Sequence, residues 1–186
     1  KVQHAAIEMG ACASCHAPHA SSRPKLGRAP AASACAECHA EQVAGAGETA
    51  HGVIDVLGCE ACHQPHGGDN PKLLRTTGSA LCLECHRATA LRDAPGGVLK
   101  AFGTLDMPVK GVRGIDLGPD GRNGHPIPGH RTLGIPTKDE LAATQTTFTG
   151  ELTCLTCHDP HKGRSRGLLA RGAASPMDAC QNCHRK

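Results

Sequence analysis

The residues best equipped for chemistry are the 12 cysteines and 13 histidines of this 186-residue chain. Every cysteine falls into a C-x-x-C-H unit: Cys12/Cys15/His16, Cys35/Cys38/His39, Cys59/Cys62/His63, Cys82/Cys85/His86, Cys154/Cys157/His158 and Cys180/Cys183/His184. In such a unit two thiols can add to the vinyl groups of one porphyrin, and the histidine that follows is placed under the iron as proximal ligand. One unit alone would be ambiguous, because C-x-x-C also serves zinc and redox dithiols. Zinc, however, needs pairs combined into four-ligand sites and gives no reason for a histidine after every second cysteine. A disulfide framework predicts varied spacings, whereas the inner gap here is always two residues. Six covalently bound c-type haems are therefore expected.

Seven histidines remain: His4, His19, His51, His66, His125, His130 and His161. Six suffice to make every iron bis-histidine, so Met9, Met107 and Met177 need not be recruited. His19 lies three residues after His16, so their Cα atoms are at most ~11 Å apart. Opposite axial histidines stand roughly 12 Å apart at Cα when each metal bond is ~2 Å, and the chain must also pass round the porphyrin edge. His19 therefore serves a neighbour, expected to be the haem at Cys35/Cys38; likewise His66 is expected at Cys82/Cys85 and His161 at Cys180/Cys183. His4 and His51, each eight residues before a first cysteine, are expected at Cys12/Cys15 and Cys59/Cys62. In the third copy that position is Thr146, so His125 or His130 is expected to replace it.

The first two cysteine pairs recur 47 residues apart, as do His4 and His51, and His19 and His66. This internal duplication divides the chain into two-haem modules at 1–47 and 48–94, with a third at 95–186 behind a Gly/Pro-rich insertion. The sequence resembles the doubled C-x-x-C-H family of multihaem cytochromes, whose repeat is C-x-x-C-H-x-P-H, an apolar spacer with leucine, and a second C-x-x-C-H. The resemblance covers 12–39, 59–86 and 154–184, with Leu26, Leu73 and Leu168 in the spacers, and the segment GHPIPGH before the third module also looks like that family. It implies an exported electron carrier: a periplasmic shuttle, an outer-membrane conduit or an extracellular filament subunit.

The elements that position these groups must be short. There is no Trp or Tyr, and Phe102 and Phe148 are the only aromatic residues, so side chains alone cannot fill an ordinary core. With 23 Gly and 13 Pro, the expected fold is mostly coil with short α-helices, cored by haem. Ser33, Ser79 and Ser175 precede the second units and are expected to N-cap short helices there, with Pro176 at a first helical position. Thr137 to Glu140 has capping-box character and predicts a helix reaching about Phe148. Residues 95–136 read as an ordered loop over haem faces. Asp116, Asp120 and Asn123 lack a complete calcium motif and read as a solvated turn.

No apolar run is long enough to span a membrane. The start at Lys1, without an apolar targeting segment, fits a mature exported chain. A formal charge of +3 would be reversed by haem propionates, and no basic run is interleaved with aromatics, so nucleic acid is not an expected partner. The expected partners are redox proteins in the periplasm or outside the cell. The alternative, a multihaem oxidoreductase acting on a small nitrogen or sulfur oxyanion, needs an open iron, and the chain has no C-x-x-C-K unit, no tyrosine to cross-link and a full histidine set. The alternative for His4, near the N-terminus, is to ligate in trans and build a head-to-tail filament, in which case the haem at Cys12/Cys15 needs another ligand.

Overall fold

The computed structural model describes residues 1–116 and 152–183. His125, His130, Thr146 and His184 lie outside the described residues, as does the helix expected from Thr137 to Phe148.

Four of the C-x-x-C-H units close on themselves as a single helical turn. The amide of the histidine donates to the carbonyl of the first cysteine in His16→Cys12 (2.9 Å), His39→Cys35 (3.0 Å), His63→Cys59 (3.1 Å) and His158→Cys154 (2.9 Å). Residues three apart in such a turn share a face, which puts both thiols on one side. The helices are correspondingly short: α1 (Ala5–Glu8), α2 (Ala31–Ala36), α3 (Gly52–Leu57), α4 (Gly78–His86), α5 (Ala88–Arg92), α6 (Cys154–Cys157) and α7 (Pro176–Gln181). The fold is largely coil with short helices and few strands, as the composition implies.

The second unit of each module sits at the C-terminal end of a helix, but a whole unit is helical only once. α4 contains Cys82, Cys85 and His86. α2 ends at Ala36 and α7 at Gln181, so these helices carry Cys35 and Cys180 and stop short of Cys38 and Cys183. Cys38 lies outside α2. It stands in the turn beyond α2, held by its amide donating to Cys35 O (3.2 Å), and Cys183 repeats the arrangement on Cys180 O (3.1 Å). A tighter bond from residue i+3 to residue i is the ordinary way a short helix closes its last turn.

Ser175 caps α7 as expected, accepting from the Asp178 amide, with Pro176 opening the helix. The other two serines do not cap. Ser33 lies inside α2, which starts after Pro30, and Ser79 lies inside α4, which starts after Thr77. Gly78, at φ +64°, takes the first position of α4, and Ser79 Oγ instead accepts from the Cys154 amide of the third module (3.3 Å).

A spacer then folds back on each first unit in the same way three times. Ala17 N–H donates to Leu26 O, Gln64 to Leu73 and Asp159 to Leu168 at 2.7–2.8 Å, while Arg28, Arg75 and Ala170 donate to Cys15, Cys62 and Cys157 at 2.9 Å. Two copies turn through consecutive left-handed residues, Lys25 and Leu26 (φ +55°, +56°) and Lys72 and Leu73 (φ +56°, +58°). Non-glycine residues rarely occupy that region. Using it twice in succession aims the lysine carbonyl at the preceding proximal histidine.

Strands β1 (Val2–Gln3), β2 (Thr49–Ala50), β3 (Gly67–Gly68), β4 (Val98–Ala101), β5 (Leu105–Pro108) and β6 (Lys162–Gly163) form three two-stranded antiparallel sheets. Two of them join modules: β1 pairs with β3 (Gln3 opposite Gly67) and β2 with β6 (Ala50 opposite Lys162). A Cβ at Gly67 would stand 3.0 Å from Val2 O, so the close approach uses its glycine. Lys162 adds an ion pair to Glu48 (3.1 Å) across the second of these joints.

The third sheet corrects the expected loop at 95–136, insofar as it is described. Residues 98–108 are a β4–β5 hairpin turned by Phe102 (φ +50°) and Gly103 (φ +70°). It is fastened to α4 by Phe102 N–H donating to Glu84 Oε2 (2.9 Å), with the Arg75 guanidinium 5.7 Å from the Phe102 ring centre. The chain then returns to the second unit of module two, where Ile115 N–H donates to His86 O (2.6 Å).

Among the described residues the buried apolar set is Ala61, Leu73, Leu81, Ala101, Met107, Cys154 and Ala173, and no large side chain is wholly buried. Side chains supply little core of their own. No helix among the described residues is long and apolar enough to cross a membrane.

Candidate haem-ligand centres

The proximal histidines are oriented by backbone carbonyls. Nδ1 of His16 meets Lys25 O (2.9 Å), that of His63 meets Lys72 O (2.8 Å) and that of His158 meets Gly167 O (2.6 Å), each nine residues on; His86 uses Arg113 O (2.9 Å). A carbonyl only accepts, so Nδ1 carries the proton and donates, leaving the Nε2 lone pair for a metal. These orienting carbonyls escaped the sequence reading. Their signal is the repeated Pro-Lys-Leu at 24–26 and 71–73, which duplicates with the haem motifs.

Each of four proximal rings faces one other histidine. The ring centres are 6.1 Å apart for His4 and His39, 5.8 Å for His16 and His66, 5.9 Å for His51 and His86, and 6.2 Å for His63 and His161. An iron held between two imidazole nitrogens at ~2 Å each puts ring centres roughly 6 Å apart. The residues therefore fit a bis-histidine haem at each of these pairs. Zinc fits less well, because no cluster of three or more His, Cys, Asp or Glu ligands forms among the described residues.

The partners differ from those that chain reach suggested. His4, expected opposite His16, faces His39 of the Cys35/Cys38 unit, where His19 was expected. His66 faces His16 rather than His86. His51 faces His86 rather than His63, and His63 is faced by His161 of the third module. His4 and His51 thus face the histidine of the second unit in their own modules, and His66 and His161 face the histidine of the first unit in the module before. The inter-module strands impose this shift, since β3 directly follows His66 and β6 directly follows His161. His19 is exposed and faces no ring among the described residues.

Local contacts prepare several of the opposing rings. His51 Nδ1–H donates to Pro160 O (2.9 Å), within the H-x-P-H of module three. Burial is the main cause that lowers the pKa of His51 and His161, favouring the neutral ring that binds metal. His161 N–H donates to Asp159 Oδ1 (2.8 Å), which anchors its backbone. His4 departs from the pattern: its Nδ1 accepts from Ala6 N–H (3.1 Å), leaving the proton on Nε2. To present the Nε2 lone pair, His4 must release Ala6.

Many of the attachment thiols form a series. The Cys35 thiol is pushed up to about 12 by burial, then by its neighbour Cys59, to which it is hydrogen-bonded, and by Cys15. Cys82 is raised chiefly by its hydrogen bond with Cys154, which is itself held down to about 5 by that bond and by Ser79. Burial raises Cys62 and Cys157 first, with further contributions from Cys59 on Cys62 and from Cys183 and Cys180 on Cys157. Cysteines of successive units therefore lie close enough to influence one another from Cys15 to Cys183, across both module boundaries. Cys38 stands apart from this series. It is exposed, whereas its partner Cys35 is half-buried. Among the described residues its backbone is held in the turn shared with Cys35 and His39.

The family model for the doubled CXXCH motif matches residues 4–44, 51–91 and 147–186. These matches cover well over half of the chain, and it belongs to that family. The family is one of multihaem c-type cytochromes, which are typically exported electron carriers, and its paired motifs imply covalent c-type haems. The comparison with curated proteins finds no match.

Proposed function

We propose that this chain carries six c-type haems, each held between two histidines, and transfers electrons along them in the periplasm or outside the cell. The observation that carries the reading is the set of four histidine pairs with ring centres 5.8–6.2 Å apart. Each haem, when bound, supplies a one-electron iron couple, at low potential because no methionine ligand raises it. The cysteines of the six units attach these groups, the exposed Cys38 included, and His16, His39, His63, His86, His158 and His184 hold them from the proximal side. His66, His4, His161 and His51 hold the first four from the distal side, and His125 and His130 are assigned to the third module. Because distal ligands and thiol contacts cross module boundaries, the protein fixes neighbouring redox groups in one rigid series, which efficient transfer requires. Redox proteins are the partners on either side.

Two nitrogen ligands on each iron leave no position for a nitrite, sulfite or hydroxylamine molecule, which disfavours the oxyanion-converting alternative. Electron paramagnetic resonance of the ferric holoprotein at neutral pH tests this choice. Low-spin signals accounting for all iron are expected, with no turnover of those three compounds. A high-spin fraction of one iron per chain, together with turnover, would establish the enzyme instead.

A further inference from the structure

The joint between modules is built twice in the same way. His66 of module two faces His16 while the next two residues pair with Val2 and Gln3; His161 of module three faces His63 while the next two residues pair with Thr49 and Ala50. Each joint thus has two independent parts, a distal histidine and a strand, delivered by the residues just after a C-x-x-C-H. Module one has the same delivering segment: His16-Ala17-Pro18-His19, then Ala20 and Ser21. Nothing among the described residues receives it. His19 is exposed with no opposing ring, and 20–21 belong to no strand.

Exposure alone would not single out His19, since His66 is exposed as well. What does is the count together with the geometry. Seven histidines were available as distal ligands; four are taken in cis, and two are assigned to the third module. The one left over is the residue that the repeat designates as a ligand for the module before its own. The backbone of this segment is also preset, because Ser21 Oγ donates to Gly27 O (2.7 Å) and accepts from Arg23 N–H (3.0 Å), tying the residues after His19 to the spacer.

We propose that His19 is the distal ligand of a c-type haem carried by a partner cytochrome module, docked against module one as module one docks against module two. This rests on the bis-histidine reading above. The partner must present a first-position C-x-x-C-H haem with its distal face open. Ala20 and Ser21 replace Gly67 and Gly68, so the imidazole carries the joint more than the strand does.

The test compares native holoprotein with His19→Ala, each checked for six low-spin haems. The probe is a ferric haem peptide bearing one C-x-x-C-H with its own proximal histidine and an open distal face. Native protein should convert the peptide from high to low spin, saturating at one peptide per chain and at lower concentration than free imidazole requires; His19→Ala should lose this. Sedimentation of each protein over a wide concentration range runs alongside. Self-association of the native protein is not expected, because every iron of a second copy is already held by two histidines; self-association that His19→Ala abolishes would overturn the proposal, since His19 would then act without an open haem. If His19→Ala matches native protein in both measurements, the proposal is overturned while the bis-histidine reading stands. If His19→Ala turns one of the chain's own irons high-spin at high dilution, His19 is an internal ligand and the proposal is likewise overturned. Native protein with mostly high-spin iron would remove both the proposal and the reading beneath it.

Discussion

Replacing His66 by alanine separates the proposed ligand pattern from the one that a self-contained module would have. His66 faces His16 at 5.8 Å between ring centres, so its loss should open the iron at Cys12/Cys15 and no other. The nearest histidine in sequence, His19, cannot substitute, because three residues span at most ~11 Å between Cα atoms and opposite axial ligands need more. With six haem motifs in the chain, the expected change is one iron in six passing from low to high spin. Added imidazole should reverse it. Resonance Raman and visible spectra of the ferric protein give that fraction, and a second variant locates it. In Cys12→Ala/Cys15→Ala protein, which lacks the first attachment site, His66→Ala should produce no high-spin iron at all. If the high-spin signal persists there and disappears instead when Cys82 and Cys85 are replaced, the inter-module assignment is wrong and the chain-reach expectation is right.

Equivalent glycines in the two joints should respond differently to substitution. A Cβ at Gly163 would sit 2.8 Å from Leu168 Cα, a backbone clash, so Gly163→Ala should destabilise by about 1–3 kcal/mol, which lowers the thermal midpoint by roughly 2–4 °C per kcal/mol for a chain of this size. At Gly68 the nearest atom is the end of the flexible Gln64 side chain, so Gly68→Ala should leave the midpoint nearly unchanged; equal losses at both sites would contradict this account of the joints. At α7, the Ser175 hydroxyl and the amides of Ser175 and Ala174 hold the Asp178 carboxyl below its ordinary value of 3.8. Its contribution is therefore present above that value and lost as pH falls through the depressed one. Asp178→Asn should weaken the acid dependence of thermal stability below about pH 4, and a profile identical to native protein would count against the cap.

Much of this was legible in the sequence for a physical reason: covalent haem attachment needs thiols and a histidine in consecutive positions, so the chemistry is written locally. The six units, the duplication and the Ser175 cap are all of that kind. The distal ligands are not. Chain reach bounds how far His4 or His66 can go, but it does not say whether a repeat closes on itself or interlocks with the next. That choice depends on strands two residues long, β1 with β3 and β2 with β6, too short to show a period. The β4–β5 hairpin was more accessible, because Val98-Leu99-Lys100-Ala101 and Leu105-Asp106-Met107-Pro108 flank a Phe-Gly-Thr turn; the surrounding glycines and prolines concealed it. Ser33 and Ser79 show the limit of capping rules. Both helices begin earlier, so a residue with the right side chain stands one or more positions too late. Cys38 shows the same limit at the other end, since α2 stops two residues before it and nothing in Ala36-Glu37 marks the stop.

The central claim, that every C-x-x-C-H unit holds a haem, is met most directly by the intact mass of the holoprotein under denaturing conditions. The 19.2 kDa chain should be heavier by six increments of roughly 0.6 kDa, one for each motif. A mass with fewer than six increments, or zinc in their place, would contradict it.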